Sequence, residues 1–271
     1  GGWRDGVLLT QLPSLWEGGR ALPRRGLHGD DKQNRPVQQI DILLSRLPTL
    51  MDGARSGGAM SEHTMQAKLI TEFIGTFFLS LTVCTAAVMG AAGAMAPFAI
   101  GSTLMVMIYA GGHVSGAHYN PAVTISVFLR GACDRSDVVP YILVQVAAGA
   151  VAALVAGNLL VSDASVTALD MDPTSAVTAE LLFTFALAYV ILHVATSEAT
   201  EGNQYYGAAI AFVVLAGALT VGGISGASFN PAVTASLLVS GALESADVWM
   251  HLVPQIAGGC IAAYAYKATT A

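Results

Sequence analysis

Two asparagine side chains are the groups in this sequence best suited to hold a small polar molecule. They open two copies of one triplet, Asn-Pro-Ala, which lie 110 residues apart: Asn120, Pro121 and Ala122, then Asn230, Pro231 and Ala232. A side-chain amide donates two hydrogen bonds without carrying a charge. A single Asn-Pro would indicate only an ordinary helix cap. Two copies in matching places indicate a paired site for an uncharged, hydrogen-bonding molecule.

A short apolar helix is predicted after each triplet. About nine mostly apolar residues follow, 121–129 in the first copy and 231–239 in the second. Asn is a favoured N-cap and Pro is favoured at the first helical position, so each helix should begin at its Asn-Pro. Because a helix needs about 20 residues to cross the core of a bilayer, each run is interpreted as a re-entrant half-helix.

The composition is that of a polytopic membrane protein. The chain of 271 residues is 54% hydrophobic and 11% charged, with a mean hydropathy of +0.61, whereas soluble domains are about 25% charged. No basic patch suggests a nucleic-acid partner. Six long apolar segments are each able to span a bilayer: 69–89, 94–110, 138–161, 176–194, 206–221 and 248–266.

The positions of these segments predict an all-α membrane protein with six transmembrane helices and two re-entrant half-helices. The half-helices fall between spans two and three and between spans five and six. Three spans per half is an odd number, so the second half enters the membrane from the opposite side and the repeat is inverted. The channel domain is predicted at 60–271, with repeat one at about 65–162 and repeat two at about 174–267.

The remaining N-terminal stretch, 1–59, is rich in Arg, Gly, Pro and Asp and is predicted to be disordered. We interpret it as a non-native or non-essential extension, with a regulatory tail as the alternative. Outside it the chain has four basic residues, which the topology places on the side of the N-terminus: Lys68, Arg130, Arg135 and Lys267. The positive-inside rule therefore predicts that both termini are cytoplasmic. The expected location is a plasma membrane or a bacterial inner membrane, with an organelle membrane as the alternative.

The pair of half-helices predicts a barrier to ions. Half-helices that enter from opposite faces bring their N-termini together near the membrane centre, where both present positive potential and unpaired N–H groups. This potential repels cations, while the amides of Asn120 and Asn230 hydrogen-bond the oxygen of a passing neutral molecule. A water molecule held by both amides interrupts a proton wire. The predicted function is passive conduction of water or small uncharged solutes.

These features resemble the aquaporin and glycerol-facilitator family, also called the major intrinsic proteins. The resemblance rests on the paired triplets, the Gly-His-Val-Ser-Gly-Ala-His run at 112–118 and the duplicated six-span layout, and it covers roughly 65–267. It implies an aquaporin-like fold, a homotetramer with one pore per protomer, and a central constriction formed by the two triplets. It also implies an outer constriction, the selectivity filter.

All four residues at the positions implied for this filter are apolar: Ile100, Ala218, Ala227 and Val233. Most family members have Arg at the last position, and many have an aromatic residue or His among the others. Loss of the guanidinium and of bulky rings widens the constriction and removes fixed hydrogen-bond donors. The sequence therefore predicts a less selective pore for water with ammonia, urea, glycerol or another small neutral solute.

Ionisable residues within the predicted membrane segments require a partner or a function. Glu72 and Glu180 occupy equivalent places in spans one and four, and we interpret them as acceptors for the backbone N–H groups of the re-entrant loops rather than as a proton relay. His118 either lines the pore and titrates or holds its loop by a structural hydrogen bond. His193 and His251 are expected to reach interfacial water near span ends.

No catalytic residue, cofactor site or metal site is predicted. The sequence contains no nucleophile elbow, Walker loop or dinucleotide fingerprint, and Cys84, Cys133 and Cys260 form no disulfide or zinc pattern. Three functions remain: a water-dominant channel, a glycerol, urea or ammonia facilitator with little water specialisation, and a non-conducting membrane assembly protein. The intact pair of triplets argues against the third, and the apolar filter favours breadth.

Overall fold

The computed structural model describes residues 63–270, and the predictions for 1–59 lie outside this range. Within it the chain is helical and contains no strand. The helices are α1 (Met65–Thr82), α2 (Ala96–Ser115), α3 (Pro121–Arg130), α4 (Arg135–Val155), α5 (Pro173–Ala195), α6 (Tyr206–Ser225), α7 (Pro231–Val239) and α8 (Trp249–Thr269). Two π-helical turns, Val83–Val88 and Ala156–Leu160, extend α1 and α4, and 3₁₀ turns lie at Gly93–Met95, Glu198–Thr200 and Ser245–Asp247.

The described helices form two equivalent halves, each with three long helices and one short one. The short helices α3 and α7 have 10 and 9 residues and begin at the predicted Asn-Pro. Five of the long helices are long and apolar enough to cross a membrane. The sixth, α8, has the length but is less apolar, because it contains His251, Gln255 and two glycines. The predicted all-α membrane fold is confirmed.

The ends of α2 and α6 differ from the predicted span ends. Both helices continue to a serine, Ser115 or Ser225, rather than stopping at 110 and 221. Each ends at a glycine in the left-handed region, Gly116 with φ of 84° and Gly226 with φ of 78°, which is the common way for a helix to terminate. Hydropathy placed both helix ends too early, because the last turn of each helix contains glycines and polar residues.

Each half-helix packs against the last long helix of the opposite half, α3 on α8 and α7 on α4. Glycine makes both contacts close. A Cβ atom on Gly149 of α4 would lie 2.2 Å from the carbonyl oxygen of Ala232, and one on Gly259 of α8 would lie 2.7 Å from that of Ala122. Both distances are below any real carbon–oxygen contact, so a side chain at either position would displace a triplet.

Candidate functional site

Asn120 and Asn230 join the two half-helices at their N-termini. Asn120 Nδ2 donates a hydrogen bond of 2.9 Å to the carbonyl oxygen of Phe229, and Asn230 Nδ2 donates one of 2.8 Å to that of Tyr119. Each Oδ1 accepts a bond of 2.9 Å from the backbone N–H two residues ahead. The orientation of both amides is thereby fixed, and each NH₂ group keeps a second N–H for another acceptor.

The two loops that precede the triplets adopt matching backbone conformations. Four residues other than glycine lie in the left-handed region: Ala117, Tyr119, Ala227 and Phe229, with φ of 51°, 49°, 51° and 48°. Such a conformation costs about 1–3 kcal/mol for each residue that carries a side chain. The loops therefore need strong support from the helices around them.

Glu72 on α1 supports the first loop from a fully buried position. Its Oε1 accepts hydrogen bonds from Ser115 Oγ at 2.6 Å and His118 N at 2.9 Å. Its Oε2 accepts from Tyr119 N at 2.7 Å and Gln145 Nε2 at 2.8 Å. Backbone N–H groups that hydrocarbon could not satisfy are paired in this way, which is the arrangement that a loop-supporting role requires.

Glu180 on α5 has the corresponding contacts with the second loop. Its Oε1 accepts from Ser225 Oγ at 2.7 Å and Ser228 N at 3.1 Å. Its Oε2 accepts from Phe229 N at 2.8 Å and from Gln255 Nε2 at 2.8 Å. The duplication therefore extends to individual hydrogen bonds.

Two glutamines belong to the site although the sequence analysis assigned them no role. Gln145 on α4 and Gln255 on α8 are both fully buried. Each bonds the glutamate of its own half and also donates to a threonine of the adjacent half-helix, Thr124 at 3.1 Å or Thr234 at 3.0 Å. The signal that could have identified them is a polar residue in the middle of an apolar span, repeated 110 residues later.

His118 makes a hydrogen bond within its loop. Its Nδ1 lies 3.1 Å from Thr124 Oγ1, and its ring packs edge-on against Tyr141 with centroids 5.3 Å apart. Ser228 occupies the equivalent place in the second half, and its hydroxyl lies 2.9 Å from Thr234 Oγ1. Because a residue that does not titrate makes the equivalent bond, the geometry favours the structural interpretation of His118.

The expectation for His251 is wrong. This side chain is fully buried rather than at a membrane interface, and its Nε2 lies 2.7 Å from the carbonyl oxygen of Ser225. The equivalent residue in the first half is Tyr141, whose hydroxyl donates a bond of 2.9 Å to the carbonyl oxygen of Ser115. Tyr141 connects α4 to the end of α2, and His251 connects α8 to the end of α6 in the same way. The environment of His251 therefore follows from its position in the repeat rather than from its distance to the end of the span.

The four implied filter residues lie on four elements: Ile100 on α2, Ala218 on α6, Ala227 in the second loop and Val233 on α7. Ile100 and Val233 are 8% and 4% exposed and belong to one hydrophobic cluster, against which Ala227 packs. Ala218 on α6 is partly exposed. Three of the four residues thus belong to, or pack against, one large cluster of core side chains.

Metal and thiol chemistry have no support in the part of the chain that the structure describes. No group of three His, Cys, Asp or Glu side chains in residues 63–270 could hold a metal ion. The three cysteines are free. Burial raises the pKa of the Cys133 thiol, in the loop between α3 and α4, to about 11, so this thiol stays protonated and weakly nucleophilic at neutral pH.

Comparisons with known proteins agree with this geometry. The family model described as Major intrinsic protein matches residues 59–220 and 193–271. Aquaporin NIP1-1 of Arabidopsis thaliana is 34% identical over 250 residues, which cover 86% of this chain and 78% of that protein. Aquaporin NIP1-1 of Zea mays is 34% identical over 213 residues, covering 74% and 73%.

Among solved structures, the X-ray structure of the aquaglyceroporin from Plasmodium falciparum is similar with a TM-score of 0.63. It is 22% identical, and the match covers 75% of this chain and 96% of that one. Similarity at this level of identity is a similarity of fold.

Proposed function

Because the chain belongs to the major intrinsic protein family, whose aquaporins are membrane channels rather than enzymes, we propose that it conducts water and small uncharged solutes passively. We propose further that its paired half-helices exclude protons and ions. The observation that carries the proposal is the reciprocal pair of hydrogen bonds between Asn120 and Phe229 and between Asn230 and Tyr119. These bonds place the N-termini of α3 and α7 against each other and leave one N–H on each amide for a solute.

Exclusion follows from the charges at this junction. The N-terminus of each half-helix carries roughly half a positive elementary charge, and the two termini add because they meet head to head. A cation at the junction is repelled. A water molecule that accepts both free amide N–H bonds has its oxygen occupied, so its neighbours cannot pass a proton through it.

The apolar filter supports a broad range of solutes. Val233 stands where most family members have Arg, and Ile100, Ala218 and Ala227 add no hydrogen-bond donor from their side chains. A facilitator of glycerol, urea or ammonia with little water specialisation is therefore the second candidate function. The intact junction argues against a non-conducting assembly protein.

Solute uptake by proteoliposomes that contain the full chain tests this breadth. Light scattering after mixing with glycerol, urea or ammonium gradients should show wild-type uptake well above that of empty liposomes. Val233→Arg should reduce glycerol and urea uptake more than water flow, because it narrows the filter and adds charge. Val239→Arg, at an exposed position of the same helix, is the matched control. Wild-type uptake equal to that of empty liposomes would contradict the breadth, and an unchanged solute profile in Val233→Arg would contradict the filter assignment.

The same family membership supports proposals about assembly and location. We propose a homotetramer with one pore per protomer and both termini in the cytoplasm, in a plasma membrane or a bacterial inner membrane. Residues 1–59 are proposed to be an extension that conduction does not require.

A further inference from the structure

His251 on α8 holds the start of the second loop. Its Nε2 lies 2.7 Å from the carbonyl oxygen of Ser225, the last residue of α6. Gly226 and Ala227 follow directly, both in the left-handed region, with φ of 78° and 51°. Because Ala227 carries a side chain, this conformation is unfavourable and depends on support from the surrounding helices. The bond from His251 is one such support, at the point where the loop begins.

The hydrogen-bonding roles at this contact fix the tautomer of the neutral ring. A carbonyl oxygen only accepts hydrogen bonds, so Nε2 of His251 carries the proton and Nδ1 is an unprotonated acceptor. Among residues 63–270, no group bonds this Nδ1, although the side chain is fully buried. A proton added at Nδ1 therefore creates a buried positive charge and a buried N–H donor without a partner, and both are costly.

The charged groups around His251 offer no compensation for such a charge. α8 packs against α5, α3, α7 and the 3₁₀ turn that precedes it. Their ionisable side chains are Glu180, Tyr189 and His193 on α5 with its cap Asp172, Arg130 on α3, and Glu244 and Asp247 at the turn. Arg130 and His193 lie beside Tyr266, near the other end of α8. The carboxylate of Glu180 is occupied by the second loop and by Gln255. Within residues 63–270, no carboxylate forms an ion pair with His251.

We propose that His251 is a positioning residue for the second loop, and that protonation of its ring releases the loop. This inference rests on the proposed function. The charged ring must leave its site to reach water or a carboxylate, and its bond to Ser225 is then lost. Tyr141 makes the equivalent bond in the first half, and a phenol hydroxyl stays neutral in acid. Release in acid is therefore a property of the second loop.

Movement of the second loop affects both constrictions of the implied pore. Ala227, at a filter position, is two residues after Ser225. Phe229 is four residues after Ser225, and its carbonyl oxygen accepts the bond from Asn120 that joins the half-helices. Loss of the support at Ser225 therefore displaces the filter position and weakens the junction, so water flow decreases when His251 is protonated.

Water permeability of proteoliposomes that contain the full chain, with the same pH inside and outside, tests this release. From about pH 7.5 to about pH 5, where imidazole gains its charge, wild-type permeability should fall by up to about fivefold, the factor that corresponds to one net hydrogen bond. His251→Tyr supplies the hydroxyl that Tyr141 uses and should remove the dependence on pH. His251→Phe lacks the bond at every pH and should show the low permeability throughout. His63→Gln, at an exposed histidine, is the control and should keep the wild-type pH profile.

The outcomes separate this inference from the proposed function. A conducting wild type whose permeability is independent of pH, or a folded His251→Tyr with unchanged acid sensitivity, would overturn the role of His251 alone. Loss of acid sensitivity in His118→Ser, with its retention in His251→Tyr, would assign the response to the first loop and would also overturn it. Wild-type proteoliposomes no more permeable than empty liposomes at every pH would overturn the proposed function as well. His251→Phe keeps the test decisive if His251→Tyr folds poorly.

Discussion

Glu72 and Glu180 each support the conformation of one loop. Each buried carboxylate accepts bonds from two backbone N–H groups of a loop that contains left-handed residues. Bonds to a charged acceptor contribute about 1.5–3 kcal/mol each. The carboxylates thus offset part of the conformational cost of the loops.

Glu72→Gln should lower the stability of the folded channel by about 3 kcal/mol, because the amide NH₂ faces donors and the charge is lost. Thermal unfolding in detergent, followed by intrinsic fluorescence, measures the effect. Glu198→Gln, in an exposed turn, is the control. A Glu72→Gln protein as stable as the wild type but with an altered pH dependence of flux would instead support a proton relay.

The repeat made several site residues predictable from the sequence. Others were missed because not every pair of equivalent positions in the two halves was compared. The Asn and Glu pairs stand out because polar residues at matching positions of an apolar chain need a shared reason. His251 was misplaced because its partner across the repeat is Tyr141, a different residue type with the same hydrogen-bonding task.

At the scale of helices, Gly149 and Gly259 set the distance between each half-helix and its neighbour. Gly149→Ala or Gly259→Ala should destabilise the protein by about 1–3 kcal/mol, the usual cost of overpacking, and should reduce water permeability by displacing Ala232 or Ala122. Gly223→Ala is the matched control in α6, where no atom lies within 4 Å of the added carbon. Gly149→Ala with wild-type stability and water flow would show that the contact is not restrictive.

Asp172, the N-cap of α5, predicts that the stability of the folded protein decreases in acid. The backbone N–H of Ser175, followed by its hydroxyl, holds the pKa of Asp172 below its ordinary value of 3.8. Because the folded pKa is the lower one, the contribution of the cap is complete above the ordinary pKa and is lost as pH falls through the folded pKa. Asp172→Asn keeps a good cap and should remove this part of the acid sensitivity, as thermal unfolding followed from about pH 5 down to about pH 2 would reveal. An unchanged pH profile would contradict a role for this carboxylate.

The presence of each helix was easier to predict from the sequence than its internal geometry. Long apolar runs and the two Asn-Pro starts correctly indicated the long and short helices. The π-helical turns at Val83–Val88 and Ala156–Leu160 have no marker in the sequence, because hydropathy does not distinguish their hydrogen-bond spacing from that of an α-helix. The path of the loop between α4 and α5 depends on contacts of Leu169 with Gly226 and Ala242, which no local sequence pattern predicts.

At the scale of the whole molecule, large apolar side chains remain exposed on the long helices, including Leu143, Val253 and Tyr264 at 65%, 64% and 68%. Lipid or neighbouring protomers must cover them. The proposed homotetramer predicts a detergent-solubilised particle whose protein mass equals four chains of 27.8 kDa. Light scattering with a refractive-index correction for detergent measures this mass, and a stable particle containing one chain would contradict the assembly.

We propose that the junction of the two half-helices passes water and blocks protons. Its most direct test measures both in the same proteoliposomes, with the full chain, a trapped pH dye and stopped-flow light scattering. We expect the water flow of wild-type proteoliposomes to lie far above that of empty liposomes, while the proton leak of the two preparations is equal. Asn230→Asp, which loses the bond to Tyr119 and adds a negative charge, should raise the leak. Water flow equal to that of empty liposomes, or a wild-type proton leak that rises with water flow, would contradict the account.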